Sequence, residues 1–384
     1  MKKNKSYTVA AEFVTGSYWD RVELLEGKRP EFTQERFNPV SIHNEAELVS
    51  QFGTKTPHSR YALLHYKIPR KKWANNSPVL LVHGASHYAK KAWLGSGATA
   101  GLAHALYEAD IPVFALSFAH SHGDNYLQGL QIANALSRIQ EITDALSVDI
   151  VCHSKGGVPA RLYLTNLLEP YGAGYEDNLR KFIMLGAPNK GVDFPFRNLQ
   201  ANWFVLDRKI NAPVACDSLY FYGRFIDCLH QSLYRDGGNF PGQSQLLYRW
   251  DDQYPVLGSA RTLYEGGQDF YFHSRGIDLA IQEGGSLIER LLSHPLPEPI
   301  SLYALAGTRN YFGVIPGESS APSDGLVFVE SALALEQMAS NPKQIRAQTC
   351  LPLNHLELLY DEKAHGWVLD CLADNPSLQT GSIA

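Results

Sequence analysis

The chain is predicted to be an α/β protein: a mostly parallel central sheet with helices on both faces, interrupted by one large insertion. Three observations predict it. Short apolar runs recur as continuous rather than alternating blocks, which implies strands buried on both faces. Helix-like stretches alternate with these runs, and alternating β and α units build a parallel sheet covered on both sides. One interval, residues 189–299, is too long for a crossover connection and too apolar for a disordered linker.

Residues 1–58 are mixed and polar, without repeats, and are expected to be an N-terminal extension packed on the core. Residues 60–68 (RYALLHYKI) then read as a strand, followed by a basic loop at Pro69-Arg70-Lys71-Lys72. Five buried strands follow at Pro78–Val82, Val113–Leu116, Val148–Val151, Phe182–Leu185 and Leu302–Leu305, with a further strand-like run at Ile345–Thr349. Helical stretches lie at Ala98–Glu108, Tyr126–Leu146 and Gly157–Leu168. Residues 59–188 and 300–384 thus form the core. The 189–299 segment holds 17 of the 43 aromatic residues and is read as a cap, or lid, above the sheet edge. Most of these aromatics are expected to form its private core, with some near the hinge facing the site below.

Composition narrows the class. With 384 residues, 45% hydrophobic and 19% charged, the chain can bury a large core. A net charge of -5 without a basic block leaves no electrostatic footprint for nucleic acid. No apolar run approaches the ~20 residues needed to span a bilayer. The basic start Met1-Lys2-Lys3-Asn4-Lys5 lacks a following apolar stretch, so the sequence as it stands predicts a cytoplasmic protein, or a periplasmic or extracellular one if the chain is a processed form. Of five cysteines, Cys216 with Cys228 and Cys350 with Cys371 would form two disulfides with Cys152 free; five reduced thiols are the alternative.

Chemistry concentrates at Cys152-His153-Ser154-Lys155-Gly156-Gly157, between the strand ending near Val151 and the helix beginning at Gly157. A sharp strand-to-helix turn exposes a serine hydroxyl, and glycines let strand and helix approach closely. The pattern is G-x-S-x-G with Cys152 in place of the first glycine. Cys152 itself is expected to pack under the turn, where an apolar setting suppresses the thiolate.

A serine needs a histidine to take its proton and a carboxylate to orient that histidine. The loop Pro322-Ser323-Asp324-Gly325 offers the acid, and Pro352-Leu353-Asn354-His355 offers the base 31 residues later, in the order nucleophile, acid, base. Asp193, Asp251 and Glu357 are rival acids, but turn aspartates are usually local acceptors and Glu357 lies too near His355 in sequence. His87, His120, His122 and His153 lack Cys or Asp/Glu at ligand spacing, so no metal is predicted. The oxyanion requires two backbone donors, expected from Ala85 and Lys155, each accounting for roughly 2.7–4 kcal/mol of barrier. The Lys155 ammonium itself is expected to be solvated.

The His83-Gly84 loop, the His153–Gly157 elbow, Gly186-Ala187-Pro188-Asn189-Lys190-Gly191, Ser323-Asp324-Gly325-Leu326-Val327 and Asn354-His355-Leu356-Glu357 resemble the bacterial triacylglycerol lipases and esterases of the α/β-hydrolase fold. The resemblance covers about residues 78–188 and 300–372. It implies ester hydrolysis through an acyl-enzyme, with Ser154 as nucleophile, Asp324 as acid, His355 as base and no cofactor. Some relatives carry a structural calcium where this chain has Glu357 instead of Asp, so calcium is not expected. The substrate would be a small or lipid ester with a hydrophobic acyl or aromatic part, met in transient contact with a lipid interface through the cap. Acyl transfer, lactone cleavage and polyester cleavage use the same acyl-enzyme. A non-catalytic ligand-binding version of the fold is the alternative of a different class.

Overall fold

The structure, a computed structural model, describes residues 5–37, 41–67, 77–96, 99–198, 218–221, 224–227, 240–258, 260–268, 272–313 and 315–375. Among them, nine strands form one sheet: β1 (Tyr7–Val14), β2 (Arg21–Gly27), β3 (Tyr61–Tyr66), β4 (Val79–Val82), β5 (Val113–Phe118), β6 (Val148–His153), β7 (Leu179–Leu185), β8 (Ser301–Gly307) and β9 (Ile345–Leu351). Their spatial order is β1-β2-β3-β5-β4-β6-β7-β8-β9. β1, β2 and β3 pair antiparallel, β3 meets β5 antiparallel, and every later pair is parallel. This mostly parallel sheet, with a sharp turn after its central strand β6, is the α/β-hydrolase arrangement.

Strand alternation divides the interior into two cores. Leu80, Val82, Phe114, Leu116, Ile150 and Cys152 face one, covered by α3 (Asn125–Thr143) and α4 (Gly157–Leu164). Val79, Leu81, Val113, Ala115 and Val151 face the other, covered by α1 (Ala89–Trp93), α2 (Leu102–Glu108) and α5 (Glu362–Ala373). Helix α3 starts where the Asp124 carboxylate accepts the Tyr126 and Leu127 N–H groups, and stops where Asp144 turns left-handed at a φ of 56°. Helix α4 ends at Leu164, short of the expected Leu168, because Asn166 takes a φ of 62°.

The chain leaves β4 toward β5 on one side and then returns to β6 on the other. The loops after β4 and β6 therefore flank a reversal in strand order, where ligands gather in open α/β sheets. The N-terminal segment does more than pack on the core: it supplies the last two strands, β1 and β2, at one edge of the sheet. It then runs to the loop after β5, where His120 Nε2–H donates to the Arg36 carbonyl (3.0 Å) and His43 Nε2–H to that of Ala119 (2.7 Å).

Described parts of the 189–299 insertion are short helices and strands, and Leu246, Leu287, Ile288 and Leu291 are buried in the first core. The proposed pair Cys216 and Cys228 lies outside the described residues. Cys350 and Cys371 are both free, correcting the bridged alternative for that pair. Trp367 of α5 donates to Thr349 Oγ1 (3.1 Å), so α5 lies on the Thr349 face of β9 and alternation turns Cys350 to the other face.

Candidate active site

Ser154 leaves β6 with a φ of 54°, in the left-handed region that costs a non-glycine residue roughly 1–2 kcal/mol. Close packing holds it there. A Cβ on Gly156 would lie 2.6 Å from the His83 carbonyl oxygen and 2.7 Å from that of Val82, and one on Gly84 would lie 2.7 Å from Ser154 Cβ. Backbone thus meets backbone between the β4 loop and the elbow, with no room for larger residues. Cys152 is fully buried beneath the turn, and burial pushes its thiol well above the usual range, so it holds no thiolate for attack.

Asp324 and His355 are brought to the serine by loops after β8 and β9. Asp324 Oδ1 accepts the N–H groups of Leu326 (3.0 Å) and Val327 (2.8 Å), leaving Oδ2 for His355 Nδ1–H at 2.7 Å. The two residues are also joined through their backbones, His355 N–H donating to the Asp324 carbonyl at 2.8 Å. With Nδ1 carrying the proton, His355 Nε2 presents a lone pair to Ser154 Oγ at 2.8 Å. Gly186 makes the space: at a φ of 55°, a Cβ there would lie 2.9 Å from Asp324 Oδ2 and 3.2 Å from His355 Nδ1.

Two histidines shape the loop after β4. His83 accepts the Phe118 N–H on Nε2 (3.3 Å) and donates from Nδ1 to the Gly84 carbonyl (2.7 Å), while His87 Nδ1–H donates to the Ala85 carbonyl (2.9 Å). C=O and N–H of one trans peptide point in opposite directions, so fixing the Gly84 carbonyl on His83 turns the Ala85 N–H away from His83. His122 Nδ1 accepts from Gln243 Nε2 (3.0 Å), which leaves its Nε2–H to donate to Ser86 Oγ (2.8 Å). Burial drives these rings toward the neutral form, His83 down to about 3 and His87 to about 4.

Lys155 departs from expectation. Its side chain is 1% exposed rather than solvated, because it points back between the loop after β5 and the Gly242 turn, where Nζ donates to Gln128 Oε1. His153 also does more than its sequence position suggested. Its Nε2–H donates to the His355 carbonyl at 2.8 Å, and the two rings pack at a centroid distance of 4.7 Å. Alternation along β6 held the signal: His153 must face opposite to Cys152, toward the side where the His355 loop crosses.

The rival acids are occupied elsewhere. Asp193 pairs with Arg197 (2.8 Å), Asp251 with Arg249 (2.7 Å), and Glu357 with Arg309 (2.6 Å) while accepting the Asn354 N–H (2.8 Å). His87, His120, His122 and His153 spend ring nitrogens on protein partners, and among the described residues no three His, Cys, Asp or Glu side chains converge as metal ligands.

No family model and no curated protein matches the chain. Among solved structures, it is similar to a mature lipase from Bacillus licheniformis at 14% identity over 81% of this chain and 98% of that one, with a TM-score of 0.46. It is also similar to 2-hydroxy-6-oxo-6-phenylhexa-2,4-dienoate hydrolase from Rhodococcus (14% identity, 82% and 95% covered, TM-score 0.44). A third is a monoacylglycerol lipase from Paleococcus ferrophilus (15% identity, 78% and 96% covered, TM-score 0.39). At such scores the fold assignment rests on the strand order and the elbow of this chain alone.

Proposed function

We propose that the protein is a serine carboxylic-ester hydrolase of lipase or esterase type, acting through an acyl-enzyme on esters with hydrophobic acyl or aromatic groups. One observation carries the proposal: a buried Asp324–His355–Ser154 chain of 2.7 and 2.8 Å ending on a serine held at a φ of 54°. Ser154 Oγ attacks the ester carbonyl as its proton passes to His355 Nε2, and Asp324 stabilises the imidazolium. The oxyanion is met by the Ala85 and Lys155 N–H groups. Collapse expels the alcohol, which takes the proton from His355. Water then enters and attacks the acyl carbon as its proton passes to the same nitrogen, and collapse releases the acid while His355 returns that proton to Ser154 Oγ.

No cofactor enters this scheme. Glu357 is bound by Arg309 rather than left for a cation. No helix among the described residues is long and apolar enough to cross a membrane; any lipid contact is proposed to be transient and through the 189–299 insertion. The test is turnover of p-nitrophenyl esters from short to long acyl chains, with and without an oil interface, by the wild type and Ser154→Ala. The proposal expects turnover that vanishes in the variant; wild-type turnover by Ser154→Ala overturns it.

A further inference from the structure

Behind the elbow lies a cluster that the scheme above does not use. Lys155 Nζ, buried with the rest of its side chain, donates to Gln128 Oε1, and Gln128 Nε2 in turn donates to the His120 carbonyl (2.8 Å). The N-terminal segment closes the cluster from the far side. Glu35 Oε1 accepts the Asp124 N–H at 2.7 Å, and its Oε2 lies against Gly123, where a Cβ would come within 2.8 Å. The insertion closes it from above: Gly242 N–H donates to the His122 carbonyl (2.8 Å), a Cβ on Gly242 would lie 2.6 Å from Lys155 Cε, and Gln245 Nε2 donates to Asp124 Oδ2 (2.6 Å). Groups whose charge acts on Lys155 are Glu35 and Asp124, both acidic, with the neutral rings of His83, His120 and His122 around it.

Burying an ammonium is costly, and apolar residues of similar volume often serve stability as well or better. A methionine would fill this space without desolvation. The lysine instead occupies the position whose own backbone N–H is the proposed oxyanion donor. We propose that Lys155 is a positioning residue: its buried side chain bonds Gln128 and packs on the Gly242 turn, which meets Gly123 where Glu35 closes the far side, so that the N-terminal segment sets the placement of the oxyanion-side N–H. The inference rests on the serine-hydrolase reading above. The coupling has a direction: burial pushes the ammonium down to about 7, and Glu35 and Asp124 pull it back up; burial likewise pushes Glu35 up to about 7, and Lys155 pulls it down. Removing either charge therefore shifts the titration of the other.

The test is the pH dependence of kcat and KM on a short p-nitrophenyl ester for the wild type, Glu35→Gln, Lys155→Met and the double variant, with folding checked by circular dichroism and Ser154 reactivity by fluorophosphonate labelling. Loss of the carboxylate is expected to move the alkaline limb of kcat to lower pH by about one unit, with KM within about twofold. Lys155→Met is expected to lose that limb and about tenfold in kcat, and the double variant to match it, because the two groups act as one unit. Should Lys155→Met not fold, the limb shift in Glu35→Gln decides alone. A Glu35→Gln profile that superimposes on the wild type overturns the inference, as does Lys155→Met with the wild-type limb and kcat. A wild type that neither turns over ester nor takes the label overturns the hydrolase reading as well, which separates the two failures.

Discussion

The two sides of Ser154 are built differently. On the acid–base side, the contacts form one line: Asp324 is fixed by Leu326 and Val327 within its own turn, His355 by the Asp324 backbone and carboxylate, and the His355 carbonyl by His153. On the proposed oxyanion side, the loop after β4 is held by several partners at once: its own His83 and His87 on the Gly84 and Ala85 carbonyls, the Phe118 N–H on the His83 ring, and His122 with Gln243 on Ser86. A single line of contacts makes a relay that one substitution breaks. A set of parallel contacts spreads the task of placing a donor over residues that each contribute a part.

Substitutions on the two sides should differ in size accordingly. Ser154→Ala is expected to cost more than about 10⁴-fold in kcat on a p-nitrophenyl ester, since the remaining donors give only residual catalysis. Asp324→Asn preserves shape but favours the wrong His355 tautomer, and a loss on the order of 10³–10⁴-fold in kcat is expected. A loss below tenfold in that variant would break the contrast from the acid–base side.

Smaller effects are expected from residues that act on backbone carbonyls. His153→Phe leaves the buried His355 carbonyl unpaired, and steady-state kinetics should show kcat lower by about tenfold together with about 1–3 kcal/mol less stability in urea. His87→Phe frees the Ala85 carbonyl, and a kcat loss of about three- to tenfold with KM little changed is expected from a partly misplaced donor. If His87→Phe matched Asp324→Asn in severity, the oxyanion side would be as tightly built as the other.

The buried histidines also predict a pH response. Burial pushes His65, His83 and His120 down to about 3 and His87 to about 4, so they are neutral in the folded protein at pH 5. The unfolded chain protonates them near the ordinary value of about 6.5, binds more protons below that pH, and is favoured as pH falls from about 6.5 toward 4. Each contributes about 1.4 kcal/mol per pH unit in that window. Glu35 and Asp193, pushed up to about 7 and about 6, and Asp149, also pushed up by burial, act in the opposite sense, but four histidines outnumber three carboxyls. Melting temperature should therefore drop between pH 6.5 and 4.5; a flat profile would mean that the rings are charged or hydrated in the fold.

Legibility in the sequence follows the same division. The apolar runs of β4 to β8, the elbow around Ser154, and the order Ser154, Asp324, His355 are local patterns, and the structure places those three side chains together. Position along β6 is enough to orient His153, since strand alternation sets it opposite Cys152. Lys155 runs against the rule that an isolated lysine is exposed, because its burial depends on Gln128 and Gly242, which are remote in the chain. Strands β1 and β2 lack the continuous apolar runs that mark the interior strands: β1 is an edge strand half-exposed to solvent, and β2 interrupts its apolar residues with Arg21, Glu23 and Glu26.

The central claim is that Ser154 carries the acyl group between two half-reactions. It is tested most directly by acid-quenching the enzyme during turnover of a p-nitrophenyl ester and mapping the acyl mass by peptide mass spectrometry. The account predicts one acyl group per chain on the peptide containing Ser154, absent in Ser154→Ala. Acylation at another residue, or a p-nitrophenol burst undiminished in Ser154→Ala, would contradict it.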